Sequence, residues 1–316
     1  MSSQPDSLVV FLHIPKTAGT SLGGVFRSQF GKSAIFKMRT WQPDAHEAGE
    51  KQMRESIARL NTLAPEQRAG VRFVKGPLHY GFEPVLSGRY FTLLRNPVKR
   101  VLSLYFQIKK PGSKHLPPEK MEQALKMSLR EFIGSGITLE TDNDQTRRVA
   151  GVRSPEELTV TAATLERARR ILREDFAAVG ITERFDESML VLKRTFGWRM
   201  PFYERQNVNH ASAEAGRVSK DDLNLIAAHN EFDAQLYDYA CSLFEETVSR
   251  LGAPFRREVK TFQMLNRGFP AYRNLLRRSQ TLVNTLSRRV PAIGGWARSY
   301  NDYLYQYHAI ARNAPR

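Results

Sequence analysis

Phe11-Leu12-His13-Ile14-Pro15-Lys16-Thr17-Ala18-Gly19-Thr20-Ser21-Leu22 is the stretch that decides how this chain is read. The apolar run Leu8 to Leu12 has the composition of a buried strand and stops at His13-Ile14-Pro15. A short loop of small and hydroxyl residues follows, then helical spacing at Leu22, Val25 and Phe26. A strand, a tight loop and a helix N-terminus gather free backbone N–H groups and the positive end of a helix dipole at one point. Lys16 adds a full positive charge, and Thr17, Thr20 and Ser21 add hydroxyl donors. The stretch is expected to hold a phosphate-like anion.

A nucleoside-triphosphate loop places its lysine directly after the second glycine, followed by a hydroxyl for Mg²⁺. With Gly19 laid on that glycine, the lysine position is Thr20 and the first glycine is Ile14. Lys16 therefore comes too early for ATP chemistry. A second element lies further along. Tyr90 to Leu94 is strand-like, and Arg95-Asn96-Pro97 then opens a helix whose apolar face is Val98, Val101, Leu102, Tyr105 and Phe106. Arg95 at the strand end and Ser103 two turns into the helix suit a dianionic phosphate monoester. Alone, the two would only cap and solvate a helix start. Paired with the first loop, they read as a second phosphate position.

Pro15-Lys16-Thr17-x-Gly19-Thr20-Ser21 and the R-N-P-x-x-R-x-x-S-x-Y pattern from Arg95 to Tyr105 together resemble the sulfotransferases that use 3′-phosphoadenosine 5′-phosphosulfate (PAPS). The resemblance implies that Pro15, Lys16, Thr17, Gly19, Thr20 and Ser21 hold the 5′-phosphosulfate, and that Arg95 and Ser103 hold the 3′-phosphate. Asn143-Asp144-Gln145-Thr146-Arg147 with Gly151 is similar to a stretch of the carbohydrate branch. So is the run Gly180 to Ser188 (G-I-T-E-R-F-D-E-S), with Asn207-Val208-Asn209 after it. That branch includes the uronyl and heparan 2-O-sulfotransferases, and the likeness is to its soluble bacterial type.

What the resemblance implies is PAPS as co-substrate, no metal, and sulfuryl transfer to a hydroxyl of an anionic or neutral saccharide or glycoconjugate. Such transfer rests on positioning and fixed charge, with Lys16 as the group contacting the bridging oxygen. A hydroxyl acceptor also needs a base. The carbohydrate branch has G-H-x-x-Y-G where this chain has Gly76-Pro77-Leu78-His79-Tyr80-Gly81, so Pro77 replaces that histidine. His79 comes two residues later and, in an extended segment, points the same way, which makes it a candidate base beside Glu83 and Asp144. His13 is expected to be structural. Two other classes stay open: a nucleotide kinase, and a non-catalytic PAPS or glycan binder that lost its base at Pro77.

Hydrophobic content of 41% and aromatic content of 10% over 316 residues are globular values. No apolar run approaches the roughly 20 residues that span a bilayer, and the first residues lack a positive region like that of a signal peptide. The single cysteine, Cys241, falls on the apolar face of a helical pattern and reads as a buried packing residue. These features lead us to expect a cytoplasmic protein. The net charge of +16 is concentrated at the end of the chain, with twelve Lys/Arg against two acids from Phe255 to Arg316. Charges there are not interleaved with aromatics as nucleic-acid stacking needs, so no nucleic-acid partner is expected. A solvated helix face is one reading. A patch drawn to an anionic acceptor or an anionic membrane is the other.

Strand-like runs at 8–12, 71–75, 90–94 and 176–181 alternate with helical patterns at 20–30, 47–60, 97–109, 118–133 and 156–173. That alternation predicts a three-layer α/β/α fold with a mainly parallel sheet and a P-loop-like core. Further helices are expected at 183–196, 219–229 and 231–251, with loops at 109–117 and 134–153. Pro254 divides an expected catalytic domain, 1–254, from a basic helical extension, 255–316.

Overall fold

Val9, Val10, Phe11 and Leu12 are all buried, as a strand covered on both faces requires. The computed structural model describes residues 8–38, 55–81, 88–152, 157–204, 218–290 and 295–301. In it this strand, β1 (Val9–Leu12), is the centre of a five-stranded sheet. With β2 (Ile35–Lys37), β3 (Phe73–Gly76), β4 (Arg89–Leu94) and β5 (Phe176–Ile181), the order is β2-β3-β1-β4-β5. Every neighbouring pair is parallel. All strands therefore end on one edge, and the loops leaving β1 and β4 emerge side by side. The Thr92 hydroxyl donates to the Leu12 carbonyl at 2.8 Å and ties those two ends together.

The helices are α1 (Gly19–Phe30), α2 (55–61), α3 (Pro65–Ala69), α4 (Pro97–Ile108), α5 (Pro118–Lys126), α6 (Leu129–Gly134), α7 (Asp144–Val149), α8 (Ala162–Glu174), α9 (Phe185–Phe196), α10 (Lys220–His229) and α11 (Glu231–Arg289). Aromatic packing fixes α1 on the sheet. Phe26 of α1 lies 4.4 Å from the Phe73 ring of β3, and Phe11 stacks on Phe91 at 4.8 Å across β1 and β4. Such pairs add about 0.5–1.5 kcal/mol each beyond the area they bury. The start of α1, and hence the loop before it, is held against a rigid surface.

The α/β class, the parallel sheet and the C-terminal helix are as expected, but several elements differ. The edge strand β2 has only three residues, too few for a periodic pattern. The pattern at 118–133 is two helices, because Ser128 and Glu131 form a reciprocal capping box that starts α6 afresh. The polar stretch 134–153 contains α7, a short helix whose six residues are all buried. The last pattern, 231–251, runs on to Arg289. Gly252, at φ 67°, kinks α11 just before Pro254, and Phe255, Val259 and Phe262 beyond the kink join the main core. No helix among the described residues is long and apolar enough to cross a membrane.

Candidate active site

The loop between β1 and α1 is built from two left-handed residues that are not glycine, Lys16 at φ 71° and Ala18 at φ 65°. Each costs on the order of 1–3 kcal/mol and persists only where the surroundings enforce it. Thr17 between them is buried, and its hydroxyl donates to the Ile14 carbonyl at 2.8 Å, which closes the turn. Its side chain thus shapes the loop from within. Ala18 has no side-chain oxygen, so it does not cap the first-turn N–H groups of α1. Alternating left-handed residues before a helix start make a concave anion site.

Gly19 is there because of His13. A Cβ at residue 19 would stand 2.2 Å from the His13 ring carbon Cε1, a distance no side chain tolerates. The ring also sits 5.2 Å from Phe11, so it packs beneath the loop. Burial, then the charges of Lys75 and Arg148, push its pKa down to about 3. It is a neutral structural wedge at physiological pH; the sequence led us to expect a structural hydrogen-bonder, but its buried Nδ1 has no hydrogen-bond partner among the described residues.

Arg95 reaches across from the end of β4, and its Nη1 donates to the Lys16 carbonyl at 2.9 Å. Its own backbone is clamped by the Gln145 amide, which accepts from Arg95 N at 2.9 Å and donates to Arg95 O at 2.8 Å. Asn96 caps α4 by accepting from Lys99 N at 3.1 Å. The structure therefore brings Lys16, Arg95 and the α1 N-terminus together, and Ser103 is half-buried two turns into α4. Lys16 is crowded by positive charge. Burial, then Arg95 and Lys110, lower its pKa to about 8 against the opposing pull of Glu140.

His79 is 3% exposed, and burial followed by the charge of Arg148 holds its pKa well below the usual value. Tyr80 N donates to the Arg148 carbonyl at 2.9 Å, which fastens this segment onto α7. Pro77, just upstream, is half-buried. Asp144 is fully buried in ion pairs with Arg148 at 2.9 Å and Arg100 at 3.5 Å. Burial opposes its charge, but Arg148 and Arg100 outweigh it and keep the carboxyl below its usual range. Arg100, the second arginine of the Arg95–Tyr105 pattern, is likewise wholly buried and also donates to the Glu140 carbonyl. Glu83 and Asn207 to Asn209 lie outside the described residues.

The motif residues further along serve mainly to hold elements together. Glu183 accepts from Asn96 N at 3.2 Å and from the Tyr237 hydroxyl at 3.0 Å. Ser188 bonds both backbone groups of Ile181, at 2.9 and 3.0 Å. One residue that sequence reasoning missed is Asp233 of α11. It accepts from Gln145 N at 3.1 Å, Thr146 N at 2.7 Å and the Thr146 hydroxyl at 2.8 Å, capping α7 from a distant helix. No local signal marks it, since its partners are nearly ninety residues away. A cavity of about 430 Å³ is lined by Ser21 in the first turn of α1 and also by Arg27, Arg199, Phe202, Phe269 and Arg273.

A family model described as galactose-3-O-sulfotransferase matches residues 71–304. The chain is similar to heparan-sulfate 6-O-sulfotransferase 1 of Cricetulus griseus, 27% identical over 298 residues, covering 80% of this chain and 71% of the relative. It is also similar to galactose-3-O-sulfotransferase 3 of Homo sapiens, 26% identical over 254 residues, covering 77% and 58%. Among solved structures it is similar to a sulfotransferase from Alicyclobacillus acidocaldarius, with a TM-score of 0.30, 14% identity, and coverage of 73% of this chain and 97% of that one. The fold assignment rests on the sheet order above and not on that likeness. On the match from 71 to 304, the chain belongs to the galactose-3-O-sulfotransferase family of carbohydrate sulfotransferases.

Proposed function

We propose that this protein transfers a sulfuryl group from PAPS to a hydroxyl of a saccharide or glycoconjugate. The observation that carries the reading is the bond from Arg95 to the Lys16 carbonyl, which joins two anion-binding elements into one site. One phosphate group would meet the α1 N-terminus through the N–H groups and hydroxyls of Thr20 and Ser21, beside Lys16. Arg95 and Ser103 would take the 3′-phosphate, and the cavity at Ser21, with its aromatic rings and arginines, the nucleoside. Pro15, Thr17 and Gly19 shape the loop. Lys16 meets the charge that develops on the leaving bridging oxygen, so turnover is expected to proceed without metal.

The relatives' names carry the 6-O and galactose 3-O positions, while the motifs at 143–151 and 180–188 resemble the 2-O branch of the soluble bacterial type. All three belong in the acceptor panel. The test is labelled-sulfate transfer from PAPS to desulfated heparan sulfate and galactose-terminated oligosaccharides, in EDTA, with calorimetric binding of 3′-phosphoadenosine 5′-phosphate (PAP). Neither PAP binding nor transfer would end this reading. PAP binding without transfer to any acceptor would favour the non-catalytic binder.

A cytoplasmic location and a division at residue 254 are part of the same proposal, the latter motivated by the Gly252 kink. Beyond it, Met264, Leu275, Leu282 and Trp296 are exposed among the arginines, a composition suited to contact with an anionic membrane. Cosedimentation of the full chain with phosphatidylserine vesicles, lost in the Leu275→Glu, Leu282→Glu variant, is the check on the membrane contact, and fractionation of the source cell is the check on location.

A further inference from the structure

Three cations that no motif marks are packed beside one another. Lys37 ends β2 and Lys75 lies in β3, and the parallel register sets the two directly opposite. Opposed residues of neighbouring strands point to the same face of a sheet. That face is the one α1 covers, because the Lys75 amine lies over the Phe26 ring, 5.4 Å from its centre. Arg27, the next residue of α1, completes the group. Lys75 is half-buried, while Lys37 and Arg27 are exposed. None of the three side chains has an ion pair or a hydrogen bond among the described residues.

We propose that Lys37, Lys75 and Arg27 bind a carboxylate or sulfate group of an acidic saccharide acceptor, and so select it over a neutral one. The inference rests on the sulfotransferase reading, whose donor has cations of its own. Lys16 and the α1 N-terminus would meet one phosphate group, and Arg95 and Ser103 the other. The three further cations therefore call for a different anion. Like charges set opposite each other on a sheet cost stability, and a ligand of the other sign offsets that cost.

The electrostatics agree with this placement. Burial, then the charges of Lys37 and Arg27, lower the Lys75 pKa to about 8, and no acid among the described residues opposes them. Lys75 and Lys16 both lower the pKa of the His13 imidazole beneath the anion loop. One ring thus feels both lysines, so an acidic group on Lys75 anchors the acceptor close to Lys16. Arg27 carries the cluster on into the cavity, whose wall it lines and where it bears on Arg273. The other two guanidiniums of that wall are engaged, Arg273 with Glu204 and Arg199 with the Ser28 carbonyl.

The test uses the full chain, saturated with PAP, and tetrasaccharides of one backbone. These are desulfated heparan sulfate, which keeps its carboxylates, the carboxyl-reduced neutral form, and that neutral form bearing a sulfate. Calorimetry should show one or both charged forms binding about 10–100-fold more tightly than the neutral one. Lys75→Gln should weaken the charged form by about tenfold and the exposed Lys37→Gln by about threefold, with the neutral form unaffected. Lys37→Arg should keep the preference, and unchanged PAP binding marks each variant as folded. Arg288→Gln with Arg289→Gln, in the basic end of α11, should keep it too. Equal or absent binding of charged and neutral forms by the unaltered chain would overturn the assignment. So would a preference that survives Lys37→Gln with Lys75→Gln, or one that is lost with Arg288 and Arg289. Sulfate transfer to galactose-terminated acceptors would in each case leave the sulfotransferase reading intact. Absence of PAP binding and transfer in the unaltered chain would remove that reading itself, and the acceptor site with it.

Discussion

The Arg95 guanidinium donates to the Lys16 carbonyl at 2.9 Å, so the β1–α1 loop and the end of β4 are mechanically one. An arginine bonded to the loop's backbone can bind a phosphate and, with the same group, hold the lysine beside it in its left-handed conformation. Hydrogen bonds from charged groups are worth about 1.5–3 kcal/mol.

Arg95→Ala is therefore expected to weaken PAP binding by about 10–100-fold, and Arg95→Lys, lacking the fork, by nearly as much. Gln145→Ala should weaken it less, because it only loosens the Arg95 backbone. The double variant should lose less than the sum, measured as a calorimetric double-mutant cycle. Strict additivity would mean that Gln145 does not act through Arg95.

Lys16 makes the affinity depend on pH. Its pKa of about 8 means that the unliganded lysine is neutral in mildly alkaline solution, while a bound dianion favours the charged form. PAP binding should take up a proton near pH 8 and weaken above it, by at most about tenfold per unit. Calorimetry in buffers of different ionisation enthalpy will show the uptake, and Lys16→Ala should abolish it. The unfolded chain keeps this proton up to about pH 10.4. The native chain releases it near 8, so stability without ligand should rise with pH across that window from this group.

Gly19→Ala drives a methyl group into the His13 ring. The loop must then move, and PAP binding should fall by tenfold or more, with a stability loss of about 1–3 kcal/mol from overpacking. His13→Ala in the same chain removes the obstacle and should restore part of the binding. Should Gly19→Ala bind PAP normally, the wedge role of His13 is lost.

Asp233→Ala strips three hydrogen bonds from the start of α7 and leaves buried donors without partners. The expected cost is about 2–4 kcal/mol, read as a fall in urea midpoint. PAP affinity should fall with it, because α7 positions Gln145 and so Arg95. A stability loss with unaltered PAP binding would separate α7 from the site.

Local chemistry was enough to locate the two loop–helix junctions that face each other at the end of the sheet. The run from Phe11 to Leu22 carries its strand end, turn and helix start within a dozen residues, and Arg95-Asn96-Pro97 does the same at β4. Short-range sterics and capping determine such junctions, so the sequence alone specified both of them and the parallel α/β frame that sets them side by side. Contacts between distant segments were not legible in this way. His79 is 3% exposed, and His115 and Glu140, on two separate segments, meet at 2.9 Å. Asp233 caps a helix nearly ninety residues before it, and Arg100, inside a phosphate motif, turns into the core. Only the tertiary structure could decide these. Buried charge must find a partner wherever the packed chain brings one, and no local pattern specifies that meeting.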